Sequence, residues 1–83
     1  MNEIAKRIKV SIGEELAGIV KYSDLLAELK GKGSKQNLRI VKEIINDEYT
    51  HVEALIEILD IQGVNTEEYK RRLLYAKRMI EEL

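Results

Sequence analysis

Apolar residues recur at steps of three or four almost from the start of the chain: Ile4, Ile8, Ile12, then Leu16, Ile19, Tyr22, Leu26 and Leu29. That period marks one face of a helix and predicts a first helix over about residues 2–30. Gly31-Lys32-Gly33-Ser34 breaks the pattern, with Gly31 suited to close one helix and Ser34 to cap the next. So short a link leaves the second helix antiparallel to the first. The next segment is more regular still. Leu38, Val41, Ile45, Glu48, Val52, Leu55 and Leu59 alternate steps of three and four, a heptad seam predicting a helix over about residues 35–62. Gly63 ends it. Asn65, with Glu68 three residues on, predicts a capping box opening a third helix over about residues 66–83. Its apolar face is Tyr69, Leu73, Ala76, Ile80 and Leu83. The expected fold class is all-α: one domain over residues 1–83, an antiparallel helical hairpin plus a C-terminal helix.

What interrupts the seams is more informative than what fills them. Glu48 stands mid-seam in the second helix, between Ile45 and Val52, where leucine belongs. A carboxylate in a packed core costs several kcal/mol, on the order of a lost buried ion pair, unless it is paired or bound to a cation. The first helix has a matching anomaly. Its stripe Ile8, Ser11, Glu15, Gly18, Tyr22, Leu25 and Leu29 has the same spacing, with Glu15 at its centre and small residues on either side. Glu15 lies 16 residues before Gly31 and Glu48 14 after Ser34. At ~1.5 Å per residue these are ~24 and ~21 Å from the turn, so the two acids sit at one level of the hairpin.

His51, three residues after Glu48, projects from the same helical side one turn away. Imidazole with carboxylates suits iron, manganese or zinc better than calcium or magnesium. Glu15 with Glu48-x-x-His51 is half of the donor set of a di-metal four-helix bundle, in which two helices give one Glu each and two give Glu-x-x-His. One chain supplies two Glu and one His; two chains related by a two-fold axis supply all six donors. A homodimer or higher homo-oligomer forming a four-helix bundle is therefore expected.

Composition narrows the alternatives. The 83 residues sit near the lower limit for a solitary core, and no cysteine is present to staple the fold or ligate a metal. Fourteen basic residues balance 15 acidic ones, so no single-sign field draws nucleic acid or an anionic membrane. No run reaches the ~18 apolar residues of a membrane span. The N-terminus lacks the apolar core of a signal peptide, so a cytoplasmic location is expected. Lys30-Gly31-Lys32-Gly33-Ser34-Lys35 is glycine-rich but lacks the spacing of a phosphate-binding loop, and reads as a turn.

Glu14-Glu15-Leu16-Ala17-Gly18-Ile19-Val20-Lys21-Tyr22 resembles the first metal-binding helix of rubrerythrin-like and encapsulated-ferritin proteins, members of the ferritin-like di-iron carboxylate superfamily. Asn46-Asp47-Glu48-Tyr49-Thr50-His51 resembles their D-E-x-x-H helix, and the likeness covers roughly residues 10 to 60. The resemblance implies Glu15 and His51 as terminal ligands and Glu48 as a bridge. It also implies the Tyr22 hydroxyl near the carboxylates, and Asp47 hydrogen-bonded to the opposing copy's histidine. Glu14 and Glu53 are candidates for an outer access path, though ordinary surface charge suits them better. Two iron ions per dimer are the implied cofactor, manganese or zinc being alternatives, and oxidation of Fe(II) by O₂ or H₂O₂ the implied chemistry. No catalytic residue beyond the ligands is expected. This chain differs from the resembled families in having no cysteines for a four-cysteine iron site and in carrying Ala17 where encapsulated ferritins place an acid. An encapsulin partner is not expected. The competing expectation is a helical assembly module with a structural or vestigial metal site.

Overall fold

A computed structural model describes residues 3–82 and shows three helices: α1 (Glu3–Leu29), α2 (Lys35–Ile61) and α3 (Glu67–Glu81). Among the described residues there is no strand, and no helix is long and apolar enough to cross a membrane. The expected terminal positions Asn2 and Leu83 lie outside the described residues.

The breaks behave as their residues dictate. Gly31 (φ 90°) and Gly63 (φ 79°) take the left-handed conformation that a side chain would strain, and the chain reverses at each. The Ser34 hydroxyl accepts the Asn37 N–H at 3.1 Å, capping α2. The start of α3 departs from the expected capping box. Asn65 accepts the Glu67 N–H at 3.0 Å, but the capping position itself is Thr66. Thr66 is buried, and its hydroxyl donates to the Asp60 carboxylate, tying the end of α2 to the start of α3. That bond, with Lys70 3.4 Å away, holds the Asp60 carboxyl below its usual range. A tertiary partner has captured the side chain that local sequence would leave free to cap.

α1 and α2, 27 residues each, form a hairpin ~40 Å long. Two apolar clusters hold it together. Near the turn, Leu26, Val41 and Ile45 pack with Tyr22, Leu29 and Leu38. Farther out, Ala5, Ile12, Leu16 and Ile19 of α1 meet Val52, Ile56 and Leu59 of α2, and here α3 adds Leu73 and Ala76. The third helix thus folds back along its own hairpin, lying in the groove over the end away from the turn and reaching the second cluster with Ile80. It meets α2 also through Lys77, whose ammonium donates to Glu53 at 2.7 Å and stands 5.4 Å from the Tyr49 ring.

α3 covers one face of the hairpin and leaves the other open. By helical period the open face is one stripe of α1 (Ile4, Ile8, Ser11, Glu15, Gly18, Tyr22, Leu25) and one of α2 (Asn37, Ile40, Ile44, Glu48, His51, Leu55, Ile58). Every residue of these stripes is half-buried or exposed. On the covered side, by contrast, Leu16, Ile56, Leu73 and Ala76 are buried.

Candidate metal centre

The open face carries the chain's one histidine and the two seam acids, and the fold brings them together. Glu15 projects from the middle of α1 and Glu48 from the middle of α2, at one level because both lie about as far from the turn. One ligand atom from each of Glu15, Glu48 and His51 falls within 4.8 Å of the others. His51 Nδ1 is 3.6 Å from Glu15 Oε2, across the two helices. The two glutamates are half-buried, and the Glu15 side chain keeps 29% of its exposure against 57% for His51. The cluster is therefore walled by the hairpin on one side and open on the other.

Gly18 makes room for it. A Cβ added there would lie 3.4 Å from Glu48 Oε2, so the carboxylate rests over the α1 backbone where a larger side chain would stand in its way. The glycine is costly in mid-helix, by roughly 0.5–1 kcal/mol relative to alanine, although at 3.4 Å an alanine methyl would make only ordinary contact with the carboxylate.

The electrostatics are those of two acids beside one imidazole, with no lysine or arginine paired to them among the described residues. The Glu48 carboxyl is pushed up from 4.5 to about 7. The largest cause is its hydrogen bond with Glu15, followed by burial and by the negative charge of Glu15, with Asp47 adding and His51 opposing. Among the described residues no lysine or arginine pairs with either glutamate; Glu15 pairs only with His51. The alternative arrangement, with α2 rotated and Glu48 paired to a surface cation, is not what forms. Two carboxylates and an imidazole this close together form a group that could hold a metal ion.

The other sequence candidates are placed differently. Tyr22 lies on the Glu15 stripe, seven residues on, and packs against Leu26, Val41 and Ile45. Among the described residues no hydrogen bond joins its hydroxyl to either carboxylate. Asp47 is exposed at the edge of the open face, near enough to raise the Glu48 carboxyl. Glu14 is exposed and turned away from the cluster, as its position one residue before Glu15 requires. Glu53 is held by Lys77 on the α3 side of α2, so it lies on no path to the centre. Local sequence carried no signal for that pairing, because the partners are 24 residues apart.

No family model matches this chain, and searches of curated proteins and of solved structures find no match. What the centre does is therefore read from its donors and their surroundings.

Proposed function

We propose that this chain is a ferritin-like half-bundle that binds transition metal through Glu15, Glu48 and His51, with a second copy completing a site for two iron ions. The observation that carries the reading is the convergence of these three donors at mid-hairpin, where among the described residues no lysine or arginine pairs with either acid. Glu15 and His51 would hold a cation from opposite helices, with Glu48, whose carboxylate lies over Gly18, as the third donor. Loading displaces the proton that Glu48 shares with Glu15, so binding strengthens as pH rises through about 7. Iron held there would supply the electrons for reduction of O₂ or H₂O₂, being itself oxidised from Fe(II) to Fe(III), the chemistry of a ferroxidase or peroxide-consuming protein.

The test is anaerobic Fe(II) titration followed by oxidant. The expected result is two irons per dimer and an oxo-bridged absorption band. Glu48→Ala and His51→Ala should each weaken binding by more than about 100-fold, beyond the loss typical of a residue that only orients a ligand. Unchanged binding in both variants would sink the proposal.

A second reading, an assembly module, is favoured by a separate observation. Between α1 and α3 runs a groove of about 620 Å³ with Val20, Tyr75 and Met79 exposed along it. Exposed apolar surface of this kind serves protein contact without any metal. A dimer whose melting is indifferent to EDTA, purified without bound metal, favours that reading.

A further inference from the structure

α3 has two flanks, and only one of them has its charges matched. On the side facing α2, Lys70 and Lys77 meet Asp60 at 3.4 Å and Glu53 at 2.7 Å. Both the lysines and the acids are seven residues apart, on helices that run antiparallel. The side facing α1 has no such counterpart. Arg71 and Arg72 line the groove of about 620 Å³ between α1 and α3, and among the described residues neither is paired to an acid. Glu68, which shares that wall, pairs with neither. The floor between is apolar and uncovered. Val10, Gly13, Ala17 and Val20 follow one another on α1 at alternating steps of three and four, as Arg72, Tyr75 and Met79 do on α3. That alternation on two neighbouring helices is the pattern that seats another helix between them. Tyr75 keeps 68% of its exposure and Val10 61%, and a Cβ added at Gly13 would meet nothing within 4 Å.

We propose that this groove receives an amphipathic helix of a partner protein, one whose apolar seam is flanked by acidic residues. The proposal rests on the reading of the groove as a protein-contact surface, and it is independent of the metal centre, which stands on the hairpin's other face. The partner's apolar seam lies along the floor between Val20 of α1 and Met79 of α3, the usual way a helix enters a groove. Acids at the edge of that seam reach Arg71 and Arg72, as Asp60 and Glu53 of α2 reach Lys70 and Lys77. Charge argues against a second copy as the occupant. A two-fold axis through the middle of the groove would set Arg71 and Arg72 beside the same residues of the other chain, like charge against like. A basic helix meets the same repulsion. Burial of the apolar floor supplies most of the affinity, and the arginines select the partner.

The experiment is fluorescence anisotropy of labelled synthetic peptides with the full chain, in EDTA so that metal plays no part. Two peptides of three heptads carry the same leucine seam. One has glutamates at the flanking positions and the other lysines, and like charge keeps each from pairing with itself. The glutamate peptide should bind on the order of 10-fold more tightly than the lysine peptide, the effect of two partly exposed ion pairs, and should gain helix by circular dichroism. The double variant Arg71→Glu, Arg72→Glu should reverse that order. Gly13→Met, which fills the groove from an open helical position, should lose both peptides with no fall in melting temperature. Equal binding of the two peptides, or a preference for lysine, overturns the acidic partner, although the groove survives as a contact surface. Binding of neither peptide overturns the docked helix. Sedimentation velocity of wild type and Gly13→Met then separates the two failures. Self-association lost in the variant gives the groove to a second copy, whereas identical behaviour removes the contact surface as well.

Discussion

The two faces of the α1–α2 hairpin are made from the same two helices, one residue step apart, and they solve different problems. On the covered face, buried Leu16 and Ile56 meet Leu73 and Ala76 of α3, and a lysine reaches across to a glutamate. On the open face the apolar residues are only partly covered, and the central acids have each other and a histidine. Apolar packing accounts for the first face without remainder. The second leaves two carboxylates and an imidazole that stability alone does not explain, since a leucine at position 48 would pack the seam better.

The largest expected contrast between the faces is in packing. Leu59→Ala, at a side chain with no exposure in the covered cluster, should destabilise the metal-free chain by about 2–5 kcal/mol, read by urea denaturation. Ile58→Ala, its neighbour on the open face, should cost well under half of that under the same conditions. Equal costs would mean that the open face is covered even without metal.

A sharper contrast is in pH. Glu48 holds its proton to about 7 in the folded chain, whereas the unfolded value is near 4.5. Between those values the folded state binds a proton that the unfolded state has lost. Raising pH through that window therefore removes stability, and above it the effect is complete. In EDTA, the melting temperature should fall between pH 5 and 7.5, within about that window, and Glu48→Gln should flatten the fall. A variant profile parallel to wild type would place the titration elsewhere.

Gly18→Ala probes the space beneath Glu48. At 3.4 Å the added methyl makes ordinary contact, so the gain in helix preference should dominate, stabilising the metal-free chain by roughly 0.5–1 kcal/mol. Destabilisation would show that Glu48 cannot yield. The smallest effect belongs to the covered face: Lys77→Ala breaks an exposed pair with Glu53 and should cost only about 0.2–1 kcal/mol by thermal melting.

Much of this was legible along the chain. The three helices follow from apolar period and from Gly31, Ser34 and Gly63, all local signals that the structure repeats within a residue or so. The level match of Glu15 and Glu48 followed from counting outward from one turn, since a rigid hairpin converts sequence distance into height. The misplacements share a cause. The cap expected at Asn65 fell to Thr66, whose hydroxyl goes to Asp60 instead, Glu53 lost its freedom to Lys77, and Tyr22 settled into the cluster near the turn. Each depends on a partner from another element, and no local spacing encodes that.

Sequence by itself determined the elements and the conflict within them: helices whose period is complete except where an acid replaces an apolar residue. Backbone hydrogen bonding and side-chain period act over three or four residues, so they can be read from the chain. Which face α3 would cover was decided only in three dimensions. Both faces of the hairpin offered apolar residues, and α3 lies where Leu73 and Ala76 could be buried against apolar neighbours, without stranding the acids beneath it. That choice left Glu15, Glu48 and His51 together on the uncovered face.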